Sequence, residues 1–236
     1  MTRILARTAA AELVKLRGLP AVLATMLGTV GTGVVLAAAL ASSAPATADA
    51  VQVLTQAVRL LQAGPILLGV LAVATEYAGR QIATTLTATP NRLLLLAGKT
   101  VAYLIAATAT SVAAIGGGLA TAWLTLALRE GGPARAVDGW PVAGAAVYLV
   151  LIGWLSLGLA VLLRSLIPPL VSILALVLVV SPLLSGHTGY ARWLPDRAGS
   201  LLYLPGADPV PGTIVLLIWI AVTASAAIVT FLARDA

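Results

Sequence analysis

The sequence predicts an all-α integral membrane protein with six transmembrane helices and an interfacial amphipathic helix at its N-terminus. Three observations predict it. The 236 residues are 60% hydrophobic and only 9% charged, with a mean hydropathy of +1.05, whereas soluble domains carry about 25% charged residues. Six apolar runs approach or exceed the roughly 20 residues needed to cross the hydrocarbon layer. Backbone amides in lipid must be satisfied within their own segment, so such runs are helices.

The opening stretch, "MTRILARTAAAELVKLRG" (1–18), places Leu5, Ala9, Leu13 and Leu16 on one helical stripe, with Arg3, Arg7 and Lys15 largely opposite. That pattern suits a helix lying in the interface with basic side chains toward anionic headgroups. Pro20, just after Gly18, marks where the chain turns upright. The alternative is a positively flanked first span with no separate helix.

The expected spans are 19–41, 58–75, 101–128, 142–163, 167–185 and 212–233. The second is the shortest, and the partly apolar Val51–Ala57 offers an earlier start. The third is longer than needed and can tilt or extend beyond the membrane. "ASSAPATADA" (41–50) and "REGGPARAVDGWP" (129–141) have the composition and Gly/Pro punctuation of loops. "RSLIPPL" (164–170) is a tight reversal, because Pro168 and Pro169 lack the donors that continue a helix. The segment 186–211 is the longest connection on the outer side. Its Tyr190, Trp193, Tyr203 and prolines suggest broken interfacial pieces.

Charge placement sets the expected orientation. With the N-terminus in the cytoplasm, Arg3, Arg7, Lys15, Arg17, Arg80, Arg92, Lys99, Arg164 and Arg234 are inside. Arg59, Arg129, Arg135, Arg192 and Arg197 remain outside. Both termini are therefore expected to be cytoplasmic. A cleaved signal peptide is a poorer reading, since the basic region would be 18 residues long, contain Glu12 and precede too long an apolar run. The 14 Lys+Arg against 8 Asp+Glu give +6. These basic residues sit singly at the ends of runs rather than in a patch, so nucleic acid is not an expected partner. With no cysteine, one histidine and no acidic cluster, neither a metal nor a hydrolytic centre is expected.

One polar stretch interrupts the oily chain. "TEYAGRQIATTLTATPNR" (75–92) is predicted to be cytoplasmic, with Ala78–Thr87 long enough for about two and a half helical turns. Thr89-Pro90 would close that helix, since the residue before proline avoids the helical region. Ile82 and Leu86, at i and i+4, give it a small apolar spot. Two to eight residues suffice to join two helices, so the rod reads as a docking surface for a soluble partner. The bland alternative is a solvated loop whose arginines only set topology.

Residues 64–100, "GPILLGVLAVATEYAGRQIATTLTATPNRLLLLAGKT", resemble a signature of type-2 ABC exporter permeases. That signature runs Gly, apolar run, Glu-Tyr/Phe, turn, Thr-Leu-x-x-x-Pro-x-Arg, apolar run, Lys. "AAELVKLRGLP" is similar to the same family's E-x-x-K-L-R elbow helix. The resemblance implies a single permease domain over 1–236, dimerising with a second copy or a related permease in a bacterial cell membrane. A nucleotide-binding ATPase subunit would dock below each copy. The coupling element maps to 76–92, with Glu76 and Tyr77 leading in. Arg80, Gln81, Thr84, Thr85 and Leu86 form the rod, and Pro90 and Arg92 lead out. The elbow maps to Glu12, Lys15, Leu16 and Arg17. Re-entrant outer helices map loosely to Ala191–Leu204. The chain contains no G-x-x-x-x-G-K-[ST] loop, so it is expected to be non-catalytic and without a cofactor of its own. ATP and Mg belong to the partner subunit.

Small residues such as Gly28, Gly31, Gly33, Gly153 and Gly158 permit close helix approach, more readily within the chain than across a dimer. No charge is read well inside a run, with Arg59 and Glu76 at span ends, which argues against proton-coupled transport. Gln56 and Gln62 read as packing amides rather than path-lining groups, and His187 as a surface residue. The expected activity is ATP-driven export of a hydrophobic or amphipathic substrate: a drug, an antibiotic peptide or a lipid. The alternative is an ATP-independent immunity or sensor-associated protein that sequesters a ligand at the outer surface, in view of the sizeable 186–212 connection. An intramembrane enzyme lacks a plausible catalytic pair.

Overall fold

The computed structural model describes residues 2–45, 47–78, 92–130, 139–187 and 189–233. All regular structure among them is helical, and six helices are long and apolar enough to cross a membrane. This is the build of a multi-pass membrane protein.

Helix α1 (Thr2–Gly18) is the amphipathic arm. Leu19 is extended (φ −91°, ψ 115°) and Pro20 opens α2 (Pro20–Ser43). A residue before proline is pushed out of the helical region, and proline fits the first helical position because no intrahelical donor is needed there. The elbow is thus written in two residues.

The second span is two helices, α3 (Ala50–Leu61) and α4 (Ala63–Ala78), joined at Gln62. It starts eight residues before position 58, because Asp49 and Gln52 form a reciprocal capping box. Asp49 accepts from the Gln52 amide at 2.7 Å. Pro65 lacks an amide to return to the preceding turn, which explains the break beside it. Helix α5 (Arg92–Glu130) has 39 residues, about 58 Å at 1.5 Å per residue. That is nearly twice a hydrocarbon thickness of about 30 Å. It begins nine residues before the expected start of span three because the leucines of 93–96 continue its helix.

Helix α6 (Gly139–Leu163) is the fourth span. Arg164 then takes a left-handed conformation (φ 50°) and turns the chain into α7 (Ile167–Ala175). A π-helical turn (Leu176–Val180) and α8 (Ser181–Ser185) complete the fifth span. The widened turn lies just ahead of Pro182, whose ring and missing amide disturb the regular ladder. A short 3₁₀ turn (Gly189–Trp193) and α9 (Pro195–Ser200) form the broken connection, and α10 (Pro209–Ala233) is the sixth span.

Span two is the axis of the bundle. Seventy-two percent of its apolar window is buried, against 22% for spans one and five. One core, around Leu16, Val22, Leu68, Tyr103 and Leu157, lies toward the elbow. A second, around Leu54, Ile66, Tyr148, Ile152 and Leu216, lies toward the opposite end. The two meet where α4 crosses α6 at Gly69 and Gly153. A Cβ on Gly69 would lie 2.1 Å from the Gly153 carbonyl oxygen, and one on Gly153 would lie 2.4 Å from that of Pro65. Backbone atoms cannot yield, so only glycine fits at these positions. Ser156 ties the crossing, donating to the Ile66 carbonyl at 2.9 Å. Gly28 and Gly31, by contrast, face open space.

Candidate functional site: a buried clamp and a polar chamber

At the elbow end, α1 packs on α5. Ala9 and Leu16 are buried, and Arg3, Arg7 and Arg17 are exposed. Glu12 lies on the buried side and accepts a hydrogen bond from the Lys99 ammonium at 2.6 Å, with both residues buried. Lys15, one turn on, is 3.9 Å from the other Glu12 oxygen. Gly98 makes the approach possible, since a Cβ there would lie 2.6 Å from the Thr8 methyl. Two charges taken out of water are tolerable only when they satisfy each other, and removing one leaves the other stranded. The pair suits a registry role, since its two charges meet only at one rotation and one height of the arm on α5.

Lys99 was expected to flank span three; instead it sits seven residues inside α5, buried and paired. Glu12 was readable as unusual, because it falls on the stripe of Ala9, Leu13 and Leu16. An acid on an apolar stripe signals a buried cationic partner. Of the residues expected to couple to an ATPase, Glu76 and Tyr77 fall in the last turn of α4, and Arg92 is the first residue of α5. Arg80, Gln81, Thr84, Thr85, Leu86 and Pro90 lie outside the described residues.

Toward the opposite end, α3, α6, the π-helical turn and α9 line an open-sided chamber of about 230 Å³. Its polar wall includes Arg59, Gln62, Tyr148, Asp196, Arg197 and Tyr203. The Tyr148 hydroxyl donates to Gln62 Oε1, while Gln62 Nε2 donates to the Arg59 carbonyl at 2.6 Å. Gln62 thereby returns a side-chain hydrogen bond to the last turn of α3. The Tyr148 and Tyr203 rings are tilted by 48° with centroids 5.2 Å apart. Gly199 lets α9 press on Tyr148, since a Cβ there would lie 2.4 Å from the ring.

Beside the chamber, Ser181 Oγ donates to Asp196 Oδ2 at 2.5 Å. Arg197 donates to Ser181 at 3.1 Å and to Ser185 at 3.0 Å. Burial raises the Asp196 carboxyl above its ordinary range, only partly offset by the Ser181 hydrogen bond and the Arg197 charge. Asp196 Oδ1 is buried without a hydrogen-bond partner. Burial likewise pushes the Tyr203 phenol up to about 12, although the Arg59 charge pulls the other way.

Two sequence expectations change here. Arg59 is not at a span end but ten residues into the helix pair that begins at Ala50. Gln62 packs as expected, yet it also lines the chamber. Tyr148, Asp196 and Arg197 carry no site signal in the sequence, because nothing local marks which way an aromatic or a loop acid points.

Two further hollows are largely apolar. One of about 510 Å³ lies between α5, α6 and α10 against Trp154 and Ile220, and one of about 430 Å³ lies between α2 and the α3–α4 pair. In the former, Thr100 and Thr223 donate to carbonyls of their own helices. Among the described residues, no group of three or more His, Asp or Glu side chains could hold a metal ion. No protein-family model matches the chain, and no curated protein matches it.

Proposed function

We propose that the chain is the membrane-embedded permease subunit of an ATP-driven exporter in a bacterial cell membrane. It moves a hydrophobic or amphipathic substrate and takes its force from a separate ATPase through the 78–88 rod. The carrying observation is the polar stretch 75–92, which joins α4, the central helix, to α5, the helix clamped to the elbow. A push on that stretch would reach both helices at once. The buried Glu12–Lys99 pair supports the reading, because it makes the arm and the base of α5 move as one body. The rod and both termini belong on the cytoplasmic side, and ATP and Mg belong to the partner.

Co-purification with an ATPase encoded beside this chain tests the reading. Arg80→Glu combined with Leu86→Asp is expected to leave ATP hydrolysis in place and abolish transport. A purified chain that never associates with a nucleotide-binding subunit would end the proposal.

The chamber favours a second reading, ATP-independent sequestration of a ligand at the outer surface. Protection against a toxic ligand that persists with no ATPase present would select it.

A further inference from the structure

We propose that the chamber between α3, the π-helical turn and α9 seats the anionic headgroup of an amphiphile, a phosphate or carboxylate carried on a hydrocarbon chain. Binding needs no motor, so the proposal stands with either functional reading above.

The argument begins with Arg59. It lies within the second apolar span and makes no hydrogen bond or ion pair among the described residues. A guanidinium at membrane depth is costly and is retained where it meets an opposite charge. Among the described residues no carboxylate pairs with it, and the acid in the same wall, Asp196, is engaged by Ser181, so a ligand in the chamber can supply the opposite charge. The Tyr203 hydroxyl, facing the same space, also makes no hydrogen bond among the described residues. Like any tyrosine it is a proton donor at neutral pH, and burial moves it further from ionisation. Together they offer one charged and one neutral donor converging on the chamber.

The single acid in the wall does not cancel this. Asp196 Oδ2 is held by Ser181, Arg197 stands beside it, and burial favours the neutral carboxyl. Two arginines against one weakened acid leave the wall positive. A wall of that sign recruits an anion, with Arg59 suited to grip two of its oxygens.

The apolar lining says what the anion is attached to. Leu60 and Leu178 border the chamber yet are 56% and 43% exposed. At about 230 Å³ the space equals some seven or eight waters at roughly 30 Å³ each. It holds a headgroup and a few methylenes, not a whole lipid. A chain leaving past Leu60 and Leu178 would run onto the exposed apolar face of span five.

The test uses the purified full chain in a neutral maltoside detergent, with ligand binding followed by native mass spectrometry. Tetradecyl phosphate and tetradecanoate are expected to bind saturably at one site. Tetradecyltrimethylammonium, with the same tail and opposite charge, is expected not to bind there. Inorganic phosphate, which lacks the tail, should bind at least about tenfold more weakly. Arg59→Gln should weaken the alkyl phosphate about tenfold or more, and Tyr203→Phe about threefold to tenfold. Arg59→Lys should restore part of the loss. Arg59 is exposed, so its replacements are expected to fold, checked by elution and circular dichroism. Equal binding of the cationic amphiphile, equal binding of inorganic phosphate, or unchanged affinity in both Arg59→Gln and Tyr203→Phe would each overturn the proposal. No ATPase enters the assay, so its outcome is separate from the exporter reading.

Discussion

The two ends of the bundle bury charge in opposite ways. At the elbow end, Glu12 and Lys99 meet at 2.6 Å in a tight seam between two helices, with Gly98 packed against Thr8 alongside. At the other end, Arg59, Gln62, Tyr148, Asp196 and Arg197 line about 230 Å³ of space, and one Asp196 oxygen has no hydrogen-bond partner among the described residues. A closed pair holds a register and leaves a ligand nothing to do. An open, incompletely satisfied network retains binding capacity. The difference separates a mechanical joint from a receptor, although both read in the sequence as stray polar residues in an oily chain.

The comparison is broken most forcefully at the joint. Glu12→Gln leaves the buried ammonium without its carboxylate and is expected to cost about 3–5 kcal/mol. Denaturant titration of the purified protein in detergent, followed by tryptophan fluorescence, reads the loss. The double variant Glu12→Leu with Lys99→Met, which removes both charges, should regain most of it. A Glu12→Gln protein as stable as the parent would mean that the seam is wet and the arm loosely held.

A smaller effect is expected at the crossing that joins the two ends. Gly153→Ala forces a methyl against the Pro65 carbonyl oxygen and the Tyr103 hydroxyl, a misfit costing about 1–3 kcal/mol. Gly28→Ala, on an open face, should stay within about 0.5 kcal/mol of the parent. The same titration compares the two, and an equal effect at both positions would show that the glycines act through helix propensity, which favours alanine, rather than through contact.

The gentlest test sharpens the chamber side. Burial places the folded-state pKa of Asp196 above its ordinary 3.8. The folded protein therefore holds this proton more tightly than the unfolded chain does. The stability this adds is complete below about 3.8 and is lost as pH rises through the raised folded value. Asp196→Asn keeps an acceptor for Ser181 and should flatten that part of the stability–pH curve. An unchanged slope would mean that the carboxyl is solvated and the chamber end no different from a surface loop.

Legibility in the sequence followed the range of each interaction. Pro20 after Leu19, the Asp49–Gln52 capping pair and the Pro168-Pro169 reversal are local, and each falls at or beside a helix boundary. Span two nonetheless starts at Ala50 rather than 58, because a strongly amphipathic helix such as Ala50–Leu61 is not a continuous apolar run. Glu12 carried a readable hint on its stripe, whereas its partner Lys99 looked like an ordinary flanking cation. Nothing around Asp196 announced that its carboxylate would meet Ser181, 15 positions earlier in the chain.

What the sequence determined alone is the inventory: six membrane-length helices, an amphipathic arm, and breaks at the prolines. Hydropathy and helical period are properties of a few neighbouring residues, so they survive without a fold. Only the tertiary structure decided which polar groups meet, joining Glu12 to Lys99, Tyr148 to Gln62 and Ser181 to Asp196. Those meetings depend on how far each helix is rotated and slid against its neighbours. That register is set by whole-surface packing, at glycine crossings such as Gly69 on Gly153, and no short stretch of chain encodes it.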